Sequence, residues 1–145
     1  MKLEALATRQ RSTAALTDGW RIHADTGADG APSLVLDLLP LARHLAEWPA
    51  ADGAPDPVQI ASLWHATLAA ALADWLRRAM AATGLGVVAL GGGCCANRAL
   101  LRGLTGALQN GGCTPLTARA LPTGDDAISY GQAWVAMERL GDTAS

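Results

Sequence analysis

Residues 87–101 read VVALGGGCCANRALL, and this stretch decides the fold. VVAL is a short, uncharged, apolar run bounded by glycine on each side, the pattern of a buried strand. Gly91, Gly92 and Gly93 follow, and from Asn97 the positions Leu100, Leu101, Leu104 and Leu108 return at helical spacing. A strand entering a glycine turn and then a helix is the first half of a strand–helix–strand unit. CTPLTARAL, from Cys113 to Leu121, supplies a second strand, interrupted by Pro115. Such alternation implies an α/β layer with at least one parallel crossover.

Upstream, Val58–Thr83 carries the clearest helical pattern. Ile60, Trp64, Leu68, Ala71 or Leu72, Trp75 and Ala79 recur on one face, and Gly84 can cap the end. Before it, LPLARHLAEW reads as a short helix with Pro40 in its first turn, followed by a loop over Pro49–Pro57. Trp20–Asp25 and Ser33–Leu38 read as a hairpin around the turn-rich TGADGAP, and Met1–Leu16 as an opening helix ended by Asp18-Gly19. Downstream, Asp125–Leu140 reads as a helix with acids in its first turn and Arg139 in its last, as the macrodipole favours. The expectation is one α/β domain over residues 1–145, a mixed sheet with packed helices and no internal repeat.

Composition narrows the function classes. The chain has 145 residues, a common size for one domain; 50% are hydrophobic and 17% charged, which excludes a disordered segment. Eleven basic and thirteen acidic side chains are interleaved along the chain to a formal charge of −2. Neither nucleic acid nor an anionic membrane finds an electrostatic footprint in that pattern. MKLEALATRQR carries charge at once, so it does not read as a signal peptide. Ala79–Asn97 is free of charge, yet its five glycines make a poor membrane helix. Cys94, Cys95 and Cys113 make no even framework and no C-x-x-C pair; they read as small buried hydrophobes in a reducing, cytoplasmic setting.

Two segments could carry chemistry. In the glycine turn the backbone can approach a ligand closely, and the following helix start points amides at an anion. The turn matches neither G-x-G-x-x-G nor a P-loop, and such a turn also serves as a plain strand-to-helix connection. In LPTGDDAISYGQ, Asp125 and Asp126 open a helix, where acids ordinarily cap. A carboxylate there can also hold a cation, but one carboxylate is not a site. His65 lies among apolar neighbours on the long helix and reads as a core or boundary residue; His23 and His44 share no ligand spacing with it. Ser129 has no suggestive His and Asp, so no nucleophilic triad is read, and the tryptophans read as core anchors.

VVALGGGCCANRALLRGL followed by LTARALPTGDDAISYGQAWVA resembles the C-terminal end of the nickel–iron hydrogenase maturation carbamoyltransferases, the HypF family. IASLWHATLAAAL is similar to that family's Ala-x-x-Phe-His-x-Thr-Leu-Ala helix, with Trp64 for the Phe, and MKLEALA to its Ala-Ala-Met-x-Leu-Glu stretch. Gly124 stands where the family has Asn, and Asp126 where it has the first Gly of Asn-Asp-Gly-Gly. The resemblance implies a partial actin-like (ASKHA) C-terminal lobe of a Kae/TsaD-like domain, lacking the adenylating domains and the paired-His metal motif. It implies that Gly92 and Gly93 approach phosphate, that Asn97 hydrogen-bonds the nucleotide, and that Asp125 is a metal ligand.

The implied cofactors are ATP and a divalent metal, Fe or Zn, in the intact enzyme. Carbamoyl phosphate and a carbamoyl-accepting maturation protein of the HypE type are the implied partners, and the lobe alone is expected to be inactive. The alternatives are a non-catalytic interaction lobe, or a lobe of another ASKHA ATPase; GDDAISYGQ argues against the latter.

Overall fold

The computed structural model describes residues 2–10, 13–27, 30–48 and 56–142. In order these form α1 (Lys2–Ala7), β1 (Arg21–Thr26), β2 (Pro32–Asp37), α2 (Leu39–Ala46), α3 (Pro57–Thr83), β3 (Val87–Leu90), α4 (Arg98–Asn110), β4 (Thr114–Thr117) and α5 (Ile128–Asp142). Single 3-10 turns over Gly93–Ala96 and Asp125–Ala127 lead into α4 and α5. Most of the loop expected over Pro49–Pro57, and the middle of TGADGAP, lie outside the described residues.

The 27-residue α3 organises the rest. Its start is set locally, by Pro57 at the first position and by the Asp56 carboxylate accepting from the Val58 N–H at 2.9 Å. It stops at Gly84, whose φ of +73° is the left-handed geometry that glycine adopts without strain. The expected stripe of large residues is only half-buried. Its buried positions are smaller or polar: Ala61, Ser62, His65, Thr67, Ala69, Ala71 and Ala73. Close approach explains the difference. A Cβ on Gly103 of α4 would lie 3.0 Å from Ala69, and one on Gly19 would lie 2.6 Å from the Thr67 methyl.

The strands divide into two small sheets, and both pack against α3. β1 and β2 form an antiparallel hairpin in register from Arg21 opposite Asp37 to Thr26 opposite Pro32. Indole N–H groups hold it to α3, Trp75 donating to the Leu34 carbonyl at 2.8 Å and Trp20 to the Asp74 carboxylate at 3.1 Å. β3 and β4 pair in parallel through the α4 crossover, with Val87 opposite Thr114 and Leu90 opposite Thr117. Beneath them Ala69, Ala73, Leu104, Leu108 and Cys113 form a buried cluster, flanked by Val88, Leu90 and Leu100.

Three expectations change. α1 stops at Ala7, where the Thr8 hydroxyl turns back to the Ala5 carbonyl and competes with helix propagation. Residues 13–16 are non-helical, and Leu16 is tied to α3 through its N–H to the Thr67 hydroxyl at 2.9 Å. Of the cysteines only Cys113 is buried; Cys94 is exposed and Cys95 intermediate, because both sit on the short turn before α4. Of the tryptophans, Trp134 lies exposed on α5 instead of anchoring a core.

The α5 surface is apolar and open, with Ile128, Tyr130, Trp134, Val135, Met137 and Leu140 all exposed. Val87 and Leu116 leave the outer face of the parallel pair open as well, although parallel sheets are normally covered on both faces. Among the described residues no helix is long and apolar enough to cross a membrane.

Candidate functional site

The site grows from the turn between β3 and α4. Gly92 has φ +87° and ψ 166°, a region that only glycine occupies without strain. The chain then tightens, with the Cys95 N–H bonding the Gly92 carbonyl at 3.0 Å and the Asn97 N–H the Cys94 carbonyl at 3.1 Å. Cβ positions on Gly91, Gly92 and Gly93 would meet nothing within 4 Å, so these backbone faces are open. The Gly92 and Gly93 amides make no hydrogen bond among the described residues. Cys95 turns its thiol to the Gly91 carbonyl at 3.2 Å; burial pushes that thiol up, and the neighbouring Cys94 adds to the shift.

The first turn of α4 differs from the expectation of amides aimed at an anion, because all four of its orphan donors are engaged. The Asn97 side-chain oxygen accepts from Ala99 and Leu100 at 3.1 Å each, and the Asn97 N–H itself donates to the Cys94 carbonyl at 3.1 Å. The fourth donor, Arg98 N–H, goes to the Glu4 carboxylate of α1 at 2.7 Å. That bond is the main reason the Glu4 carboxyl sits below its ordinary value, with the Arg98 charge assisting against some desolvation. The open donors are therefore those of the glycine turn itself.

Asn97 also reaches α3. Its amide nitrogen lies 2.9 Å from His65 Nε2, and His65 Nδ1 lies 2.7 Å from the Ala61 carbonyl. The Ala61 carbonyl can only accept, so Nδ1 carries the proton. With the Asn97 oxygen committed to two amides, its NH2 faces Nε2, and the network assigns both the amide orientation and the ring tautomer. His65 is buried, as the sequence implied, but it is bonded to the residue that opens α4. One N–H of the Asn97 amide remains for another partner.

The second motif lies beside the first. A Cβ on Gly124 would sit 3.8 Å from the Gly93 Cα, which brings the GDDA turn against the glycine turn. Asp125 and Asp126 follow, both exposed, with the Ala127 N–H closing on the Gly124 carbonyl at 3.1 Å. Among the described residues no group of three or more His, Cys, Asp or Glu is placed to hold a metal ion. Asp125 can offer a cation one carboxylate. Sequence reading passed over Glu4 and the His65–Asn97 bond, and no local spacing reveals partners 94 and 32 residues apart.

A parallel strand–turn–helix–strand unit on a long helix, with an Asp-bearing turn against its glycines, defines an α/β lobe in form. The chain belongs to the carbamoyltransferase Kae1-like domain family, second subdomain, whose family model matches residues 1–132. It is 44% identical over 126 residues to carbamoyltransferase HypF2 of Cupriavidus necator, covering 86% of this chain and 14% of that protein. To carbamoyltransferase HypF of Rhizobium leguminosarum it is 42% identical over 132 residues, covering 91% and 15%. The chain thus spans about a seventh of the curated relatives it matches.

Among solved structures, full-length HypF in a phosphate- and nucleotide-bound form superposes with a TM-score of 0.75. It is 27% identical, and the match covers 96% of this chain and 17% of that one. HypF of T. kodakarensis shares the fold at a TM-score of 0.68 and 22% identity, over 97% of this chain and 17% of that one. The implied α/β HypF-type fold is the one found.

Proposed function

We propose that this chain acts as the nucleotide-facing C-terminal lobe of a carbamoyltransferase. That enzyme would use carbamoyl phosphate and ATP to carbamoylate a cysteine of a HypE-type partner during nickel–iron hydrogenase maturation. One observation carries the reading: the open Gly91–Gly93 turn and the Gly124–Asp125 turn, far apart in sequence, lie against each other. Phosphate suits such a place, since unengaged backbone amides and close approach are what an anion needs. In this reading Gly92 and Gly93 receive the phosphates, and Asn97 donates its remaining amide N–H. Asp125 gives one carboxylate to a divalent cation, Fe or Zn, whose other ligands lie outside the described residues. The cation would neutralise phosphate charge; the chain's own part is to hold the turn in shape and position the carboxylate.

The test is a titration of the 145-residue chain with ATP, followed at the backbone amides by NMR. Shifts centred on Gly92, Gly93 and Cys94, with a Kd weaker than about 1 μM (roughly 8 kcal/mol) and abolished by Gly93→Val, are the expected result. One turn against solvent binds weakly because high dielectric dilutes its dipoles. Shifts centred elsewhere would overturn the assignment. Robust carbamoyl-phosphate-dependent ATP–pyrophosphate exchange by this chain alone would overturn the lobe reading.

The exposed apolar face of α5 favours a second reading, an interaction lobe without turnover. Under it, Trp134→Ser with Met137→Ser would abolish partner capture and leave ATP shifts unchanged.

A further inference from the structure

A pocket of about 510 Å³ opens between α1, α3 and α4, and none of the glycine turn's residues line it. Its volume falls within the roughly 300–1,000 Å³ typical of small-molecule sites. Thr8, Gln10, Thr13, Ser62, His65 and Arg102 supply its polar wall, and among the described residues no carboxylate lines it. Arg102 gives its Nε–H to the Arg98 carbonyl at 3.3 Å and makes no ion pair among the described residues, so the outer guanidinium nitrogens are uncommitted. The Thr13 hydroxyl is shut off from solvent and has no hydrogen-bond partner among the described residues, an uncommon condition for a buried polar atom. Ser62 reaches only the Ala7 carbonyl, at 3.5 Å, the outer limit of a hydrogen bond. His65 contributes no competing donor, because both ring nitrogens are engaged, and forms a fixed wall.

We propose that this pocket is a second ligand site, for a small molecule bearing an oxyanion, either a carboxylate or a phosphate. Among the described residues the sole ionised group in the wall is Arg102, a cation whose planar fork matches two oxygens. Gln10 can donate to the same ligand, and Thr8 offers a hydroxyl beside it. The site uses none of Gly92, Gly93, Asn97 or Asp125, so it stands independently of the nucleotide reading.

NMR titration of the whole chain with inorganic phosphate, and separately with acetate, tests it against sodium chloride of equal ionic strength. The expected result is saturable shifts at Gln10, Thr13, Arg102 and Gly103, with the tighter-binding probe identifying the oxyanion. Arg102→Gln should weaken binding about tenfold or more without moving Tm, since the side chain is exposed. Linear, unsaturated shifts for both probes, shifts confined to the glycine turn, or unchanged affinity in Arg102→Gln would each overturn the proposal.

Discussion

Replacing Asn97 by Ala removes two interactions at once. Its side-chain oxygen caps α4 through the Ala99 and Leu100 amides, and a lost cap of this kind costs about 1 kcal/mol. Its amide nitrogen is the partner of His65 Nε2, and His65 is only 6% exposed, so water cannot readily take the place. A buried acceptor left unpaired costs about 1–3 kcal/mol. The sum, about 2–4 kcal/mol, corresponds to a fall in Tm of about 6–12 °C for a chain of this length. Asn97→Ser separates the parts, since the hydroxyl can cap but cannot reach the ring; it should recover only the cap contribution. Urea unfolding of the single variants, His65→Ala and the double variant completes the cycle, with an expected coupling above about 0.5 kcal/mol. An Asn97→Ala cost below about 1 kcal/mol, full recovery in Asn97→Ser, or additivity with His65→Ala would refute the pair.

Gly92→Ala places a side chain at φ +87° and should cost about 1–3 kcal/mol by urea unfolding, even though space around the Cβ is open. The Asp74 carboxyl lies below its ordinary value. Burial pushes it up, but the Trp20 indole N–H, the Arg78 hydrogen bond and the Arg78 and Arg77 charges together outweigh that. A lowered folded value means that its stabilisation is full above its ordinary value of 3.8 and is lost as pH falls through the folded one. Asp74→Asn should therefore flatten the acid limb of the pH–stability curve as pH falls below the ordinary value of 3.8, with the Trp20 indole resonance as reporter. Asp125→Ala should leave stability within about 0.5 kcal/mol, because the side chain is exposed. Equilibrium dialysis of the parent chain should show no stoichiometric divalent metal, since one carboxylate does not outcompete water.

Legibility followed the range of the interactions. The ends of α3 could be placed to within a residue because their causes are local: Asp56 and Pro57 at the start, Gly84 at the stop. The glycine turn was legible for the same reason. α1 was overextended because its Leu and Ala pattern continues to Leu16, whereas Leu16 is held by Thr67, 51 residues away. The burial of α3 was misassigned in a related way. Periodicity marks which face is apolar, but Gly103 and Gly19 decide how near the neighbours come, and they select small side chains for the deepest positions.

The site divides along the same line. Gly92, Gly93 and Asp125 stand out because their chemistry is unusual where it occurs, and the fold then sets Gly124 beside Gly93. His65 was read as a bland helical histidine, correctly buried, yet the residue it bonds is Asn97. A helix cap and a histidine tautomer are each ordinary; joined through one amide, they fix the entrance of α4 relative to α3. Glu4 adds α1 to the same junction through the Arg98 amide. Three helices therefore meet at the Asn97–Arg98 junction that ends the glycine turn, and the open Gly92 and Gly93 amides sit on a support that only long-range contacts could build. The turn's shape can then persist without a bound phosphate to organise it, because α4 is capped from within the protein and the cost of ordering the loop is already met by folding.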